Sequence, residues 1–265
     1  MIRLAVRVPR ERAELVLADL SVLAPGGCEE RDLGDVVEYA IYGAPGELPD
    51  LGAVRATIGD ALVDVVTTEV PDDWGEHWRR WHRSLDVGPL RVRPPWEEAR
   101  TGALDVVIDP GQAFGTGAHP STRLTLALLL DVPAGGPLAD WGSGSGVLAV
   151  AAARLGFAPV LACDHDPAAV AATAAAAERN GVSIEVARCD LRRAPGPSAP
   201  TVTANLVRPL LLDVAAVMER APERLIASGL TTDEVAEVTA AFARHGLRES
   251  ARRDGDGWSA ILLSR

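Results

Sequence analysis

Apolar and polar residues alternate from Ile2 to Val8 (Ile-Arg-Leu-Ala-Val-Arg-Val), a period of two that predicts a half-buried strand. From Pro9 the spacing becomes helical, with Ala13, Leu15, Val16 and Leu20, until Pro25-Gly26-Gly27 breaks the segment. Residues 28–33 and 36–42 read as strands joined at Gly34-Asp35, a hairpin-sized turn. Pro49–Ala56 reads as a short helix and residues 62–68 as another strand. The order βαββαβ is that of a ferredoxin-like module, so residues 1–68 are expected to form a small α+β domain.

Residues 69–96 read as a linker carrying Trp74, Trp78, Trp81 and Trp96. The first three fall at i, i+4 and i+7, one face of a helix, and that face is expected to pack against apolar surface. His77 and His82 lie nearby without a convergent carboxylate or cysteine pattern, so no metal site is suggested.

Residues 97–265 change character. Short apolar runs at Leu104–Ile108, Pro137–Trp141, Pro159–Asp164, Ile184–Ala187, Thr201–Asn205 and Arg224–Ser228 read as strands. Helical patterns alternate with them over Ser121–Leu130, Ser145–Leu155, Pro167–Asn180, Leu206–Ala221 and Asp233–His245. Alternation of this kind predicts an α/β fold with a mostly parallel sheet. The C-terminal residues split at Asp254-Gly255-Asp256-Gly257 into two strand-like runs, which predicts a terminal antiparallel hairpin.

Two stretches carry candidate chemistry. Asp140-Trp141-Gly142-Ser143-Gly144-Ser145-Gly146 lies between a predicted strand and helix, and Asp164 ends the next strand. Glycines there let the chain turn sharply while backbone N–H groups approach a ligand, and an acid at the following strand end accepts both hydroxyls of a ribose. NAD and S-adenosylmethionine both meet these requirements. The register separates them: dehydrogenases use G-x-G-x-x-G, whereas Gly142, Gly144 and Gly146 follow G-x-G-x-G with Asp140 two residues ahead, as in methyltransferases. The second stretch, Asp109 to His119, is too glycine-rich for regular structure and leads into a helix whose first turn holds Thr122 beside unpaired N–H groups.

Composition narrows the classes. With 265 residues, 48% of them hydrophobic, the chain can bury a sizeable core. A formal charge of −11 argues against general nucleic-acid binding, which uses basic surfaces. Cys28, Cys163 and Cys189 form no pair suited to a disulfide framework or zinc. Without an 18-residue apolar run or a signal-like start, a cytoplasmic protein with no membrane partner is expected.

With those motifs in view, the sequence resembles class I methyltransferases that act on the large-subunit ribosomal protein L11, the PrmA type. The resemblance rests on Asp109-Pro110-Gly111-Gln112-Ala113-Phe114-Gly115-Thr116-Gly117-Ala118-His119-Pro120-Ser121-Thr122, on Asp140 to Gly146, on Asp164-His165-Asp166-Pro167, on Asn180-Gly181-Val182 and on Asn205-Leu206. It implies a Rossmann-like methyltransferase sheet preceded by a small domain that recognises the protein substrate. It further implies S-adenosylmethionine as cofactor, with Gly117, Thr122, Gly142, Gly144, Asp164 and Asn205 around it. Asn205 would also accept a hydrogen bond from the attacking amine, and His119 is the nearest titratable candidate for proton removal. Two residues depart from the family pattern: Trp141 stands where a smaller residue is usual, and Arg208 places a cation near the acceptor site. The alternatives are a methyltransferase of another protein or of a small amine, and a cofactor-binding interaction module without catalysis.

Overall fold

The computed structural model describes residues 2–13, 16, 28–43, 63–69, 83–110 and 119–265. The chain divides between Trp81 and His82 into two compact units.

In the first unit, β1 (Ile2–Pro9), β2 (Glu29–Asp32), β3 (Val36–Gly43) and β4 (Asp64–Glu69) form an antiparallel sheet in the order β2-β3-β1-β4. That is the order of a βαββαβ module, in which the β1-to-β2 and β3-to-β4 connections each pass one intervening strand and β2 and β3 are neighbours. Most of the two expected helices lies outside the described residues. The alternation in β1 is realised as burial: Leu4, Val6 and Val8 pack with Val37, Tyr39 and Ile41. Arg3 and Arg7 reach the carboxylate of Glu38, at 2.5 and 2.8 Å, across the β1–β3 pair. Burial opposes ionisation of Glu38, yet the hydrogen bonds from Arg3 and Arg7 outweigh it and hold the carboxyl below its ordinary range.

The second unit opens with strands where a linker was expected. β5 (Leu85–Val87) and β6 (Leu90–Arg93) make an antiparallel pair, and β7 (Leu104–Val107) joins β6 in parallel. Leu90 and Val92 alternate inward and are buried, a period-two signal within the segment assigned to the linker. Asn180 acts as an extra strand residue at the end of this sheet: its Oδ1 accepts the Val107 amide and its Nδ2 donates to the Val107 carbonyl, both at 2.8 Å.

The main sheet comprises β8 (Leu138–Trp141), β9 (Val160–Asp164), β10 (Ile184–Arg188), β11 (Thr201–Asn205), β12 (Arg224–Thr231), β13 (Arg248–Gly255) and β14 (Trp258–Ser264). Their order is β10-β9-β8-β11-β12-β14-β13, with β10 to β12 parallel and β14 antiparallel to both neighbours. Its helices are α1 (Pro120–Leu130), α2 (Val147–Leu155), α3 (Pro167–Asn180), α4 (Arg208–Val217) and α5 (Val235–Ala243). One core joins α1, α2 and α3 to a face of the sheet, and a second joins α4 and α5 to the opposite face. Covering both faces explains why every residue of β8 is buried and why this strand reads as a continuous apolar run broken only by Asp140. No described helix is long and apolar enough to cross a membrane.

Local chemistry sets the helix ends. The Asp166 side chain accepts from the Ala168 amide ahead of Pro167, and Gly181 closes α3 in the left-handed conformation at φ +61°. The helix expected over Leu206–Ala221 is shorter, because Pro209 belongs in a first turn, where its missing N–H has no partner to lose; α4 therefore begins at Arg208. β12 runs past Ser228 to Thr231 through a bulge at Gly229. The terminal hairpin turns through Asp256 and Gly257, both at positive φ, as a two-residue primed turn requires.

The Glu38 clamp gives a pH-dependent contribution of known sign. Its folded-state pKa is depressed, so the stabilisation is present above the ordinary glutamate value of 4.5 and is lost as pH falls through the lower folded value. Glu38→Gln should cost roughly 1–3 kcal/mol at neutral pH, with the deficit vanishing in acid; urea unfolding of both proteins across that range checks it.

Candidate active site

The turn leaving β8 is built around the end of β9. The Gly142 and Ser143 amides both donate to the Cys163 carbonyl, at 2.8 and 3.0 Å. This forces the backbone through positive φ at Gly142, Gly144 and Gly146. Gly142 also has a steric reason: a Cβ there would lie 2.3 Å from Cδ2 of Leu206. At Gly146 the neighbour is the backbone of α3, with Thr173 Cα 3.0 Å from the same notional atom, so α2 and α3 pack closely. Thr173 secures the turn, its hydroxyl lying 2.9 Å from Ser143 Oγ and 3.1 Å from the Gly144 carbonyl. Nothing in its alanine-rich sequence context had marked it.

Asp164 links the two halves of the nucleotide-type motif. Its Oδ2 accepts the Gly144 amide at 3.0 Å and its Oδ1 accepts the Asp166 amide at 3.0 Å. Oδ2 retains a second lone pair for a ribose hydroxyl, while Oδ1 also lies 3.2 Å from Nδ1 of the exposed His165. β8 and β11 are the adjacent parallel strands from which chain order runs in opposite directions, and ligands of open α/β sheets bind at the carboxyl ends of such a pair. Asn205 ends β11 there, and its Nδ2 donates to the Thr122 hydroxyl in the first turn of α1 at 3.3 Å. Thus Asp164 joins Gly144, Gly142 meets Leu206, and the neighbouring Asn205 joins Thr122. Gly117 lies outside the described residues, as does the rest of 111–118.

Two further residues resolve sequence questions. His119 is the N-cap of α1: its Nδ1 accepts the Ser121 amide at 3.2 Å, and its ring stands edge-on to Trp258 with centroids 4.6 Å apart. Burial, then the charge of Arg123, lowers its pKa and favours the neutral form that a capping acceptor requires. Trp141 is buried against Leu191, Ala199 and Met218. Its indole N–H donates to the Pro197 carbonyl at 3.0 Å, and Gly196 allows the proline-rich segment to lie on the ring. The large residue therefore covers the sheet between β10 and β11, where the chain runs as a loop instead of a helix.

Asp140 is wholly buried. Oδ1 accepts the Thr203 hydroxyl at 2.7 Å, while Oδ2 has no hydrogen-bond partner among the described residues. Burial pushes its pKa up to about 7, against the opposing effect of the Thr203 hydrogen bond.

A seven-stranded sheet with this strand order and an antiparallel β14, a G-x-G-x-G turn at the switch point, and an acid at the end of β9 define a class I S-adenosylmethionine-dependent methyltransferase. The residues fit that cofactor: Asp164 suits the ribose, and the side-chain-free turn at Gly142 and Gly144 admits close approach of the methionine part. Residues 53–265 match the family described as ribosomal protein L11 methyltransferase (PrmA), and the chain belongs to that family. A ribosomal protein L11 methyltransferase of Pelotomaculum thermopropionicum is 33% identical, with 98% of this chain and 97% of the relative aligned. One from Symbiobacterium thermophilum is 39% identical over 73% of this chain and 66% of the relative. The crystal structure of a ribosomal protein L11 methylase from Lactobacillus delbrueckii subsp. bulgaricus superposes with a TM-score of 0.63 at 25% identity, covering 69% of this chain and 99% of that one.

Asp140 supplies a second test of sign. Its folded pKa is raised, so the neutral carboxyl favours the folded state at low pH and that contribution disappears as pH rises through about 7. Asp140→Asn keeps an acceptor for Thr203 and has no proton to lose. It should be more stable than the parent by roughly 2–4 kcal/mol near pH ~8 and indistinguishable near pH ~3, below the ordinary aspartate value of 3.8, read from urea unfolding at both. An unchanged difference between the two pH values would place an ionised carboxylate at this site.

Proposed function

We propose that this enzyme methylates amine nitrogens of ribosomal protein L11, lysine side chains or the N-terminal amine, in the cytoplasm. The observation that carries the reading is Asn205, a carboxamide at the end of β11 beside the glycine turn, within a family whose relatives are named ribosomal protein L11 methyltransferases. The first unit presents the protein substrate. Asp164, Gly142 and Gly144 hold the cofactor, and Thr122 closes the cleft from α1. Gly117 is assigned to the cofactor by the family resemblance.

S-adenosylmethionine supplies an electrophilic methyl on a sulfonium. An attacking amine must arrive neutral and in line, so the work of the chain is orientation and exclusion of water. The oxygen of Asn205 accepts a hydrogen bond from the amine N–H and aims its lone pair. With S-adenosylmethionine held there, the amine would take the methyl from sulfur and give up one proton, leaving S-adenosylhomocysteine. His119 serves this arrangement as the cap that fixes α1 and hence Thr122, and the proton passes to water. Arg208 does not repel an ammonium as an isolated cation would: Glu234 and Glu237 hold it at 3.3 and 2.7 Å.

Incubation with labelled S-adenosylmethionine and separated large-subunit proteins should place label in L11, on lysine Nε or the α-amine by peptide mass spectrometry. Asn205→Ala should lower kcat roughly 10- to 100-fold, the loss of one charge-assisted hydrogen bond at the reacting centre. Label confined to another protein, or to a small amine, would replace the L11 assignment.

A further inference from the structure

Asn205 is held from two sides, and one side is a residue to which no part in the chemistry has been given. Gly229 sits at the bulge of β12, between Ser228, paired with Asn205, and Leu230, paired with Ser259. Its φ is +81°. A Cβ at this position would stand 2.5 Å from the carbonyl oxygen of Leu206 and 3.1 Å from Oδ1 of Asn205. A left-handed residue inserted in a strand bends it and re-aims what lies beside it. Here the bulge lets β12 pass directly beneath the Asn205-Leu206 peptide, and the Leu206 amide is tied to the Ser228 carbonyl at 2.9 Å. On the other side the Thr122 hydroxyl, fully buried, receives Nδ2 of Asn205. The Ser228 hydroxyl lies 3.3 Å from the Ser121 carbonyl, so the start of α1 and the bulge belong to one hydrogen-bonded unit.

We infer that Thr122 and Gly229 are positioning residues for methyl transfer: together they fix the Asn205 carboxamide so that Nδ2 is spent on Thr122 and Oδ1, lying over Gly229, is the acceptor offered to the incoming amine. The inference rests on the acceptor role given to Asn205 above. Reversal of the amide would present a donor to a nitrogen whose lone pair must face the methyl, so a carboxamide free to flip would spend part of its time in an unproductive orientation.

Gly246 provides a matched control. It has the same φ of +81° with open space where a Cβ would go. Gly229→Ala and Gly246→Ala therefore share the backbone penalty, and only the first adds the clash at the site. With kcat measured at saturating S-adenosylmethionine and corrected for folded protein, Gly246→Ala should match the parent and Gly229→Ala should fall roughly tenfold or more. Thr122→Val, which keeps the shape and removes the acceptor, should fall similarly, and Thr122→Ser should recover to within about twofold. Neither loss should multiply further in an Asn205→Ala background, because residues acting through Asn205 have nothing left to orient. If Gly229→Ala does not fold, the Thr122 pair and its double mutant decide. Parental kcat in Thr122→Val while Asn205→Ala is impaired, or full additivity of the losses, overturns the clamp alone. Parental kcat in Asn205→Ala removes the acceptor role itself.

Discussion

The hydrogen bond from the Gly144 amide to the Asp164 carboxylate, 3.0 Å long, ties the turn leaving β8 to the end of β9. The geometry around the cofactor cleft depends on it. It can form because the Gly142 and Ser143 amides first close on the Cys163 carbonyl, which folds the chain back over the neighbouring strand. That reversal requires left-handed backbone, and the left-handed backbone requires glycine. A carboxylate that accepts main-chain N–H groups is ready to bind a diol without reorganising, so the same contact that shapes the turn prepares the site.

The far wall follows from a second constraint, the crowding of β11 between β8 and β12. Leu206 closes on Gly142 from one side and its carbonyl sits on Gly229 from the other. A methyl group at Gly229 would press on main chain, whereas one at Gly142 would push aside the Leu206 side-chain tip; both positions bear on the residue next to Asn205. The buried charge of this region is handled differently. Asp140 lies deep in the sheet and half satisfied, and burial favours its neutral form, whereas Glu38 in the first unit is little exposed but lies at shallow depth and stays ionised through Arg3 and Arg7. Depth of burial and partners together set protonation.

Much of this was legible in the sequence, for physical reasons that differ by element. The glycine turn, the acid at the end of β9 and the terminal hairpin were readable because each depends on local backbone chemistry. The parallel order of the sheet followed from the alternation of strands and helices. What escaped was fixed by contacts distant along the chain. Thr173 lies in an alanine-rich helix whose pattern announces only packing, and its hydroxyl matters because the Ser143 turn arrives beside it. Gly229 looked like the end of a strand, since a bulge is invisible until the partner strand sets the register. β5 and β6 were absorbed into a tryptophan-rich linker because three- and four-residue strands carry little periodic signal. Trp141 is explained only by the proline-rich segment that folds over it from beyond β10.

Calorimetric titration of S-adenosylmethionine into the parent and Asp164→Ala bears most directly on the claim that Asp164 and the glycine turn form the cofactor cradle. Loss of a carboxylate that both binds the ribose and braces Gly144 should weaken binding roughly 100-fold or more while thermal unfolding still reports a folded second unit. Affinity within about twofold of the parent would contradict the account, since the cofactor would then be held elsewhere.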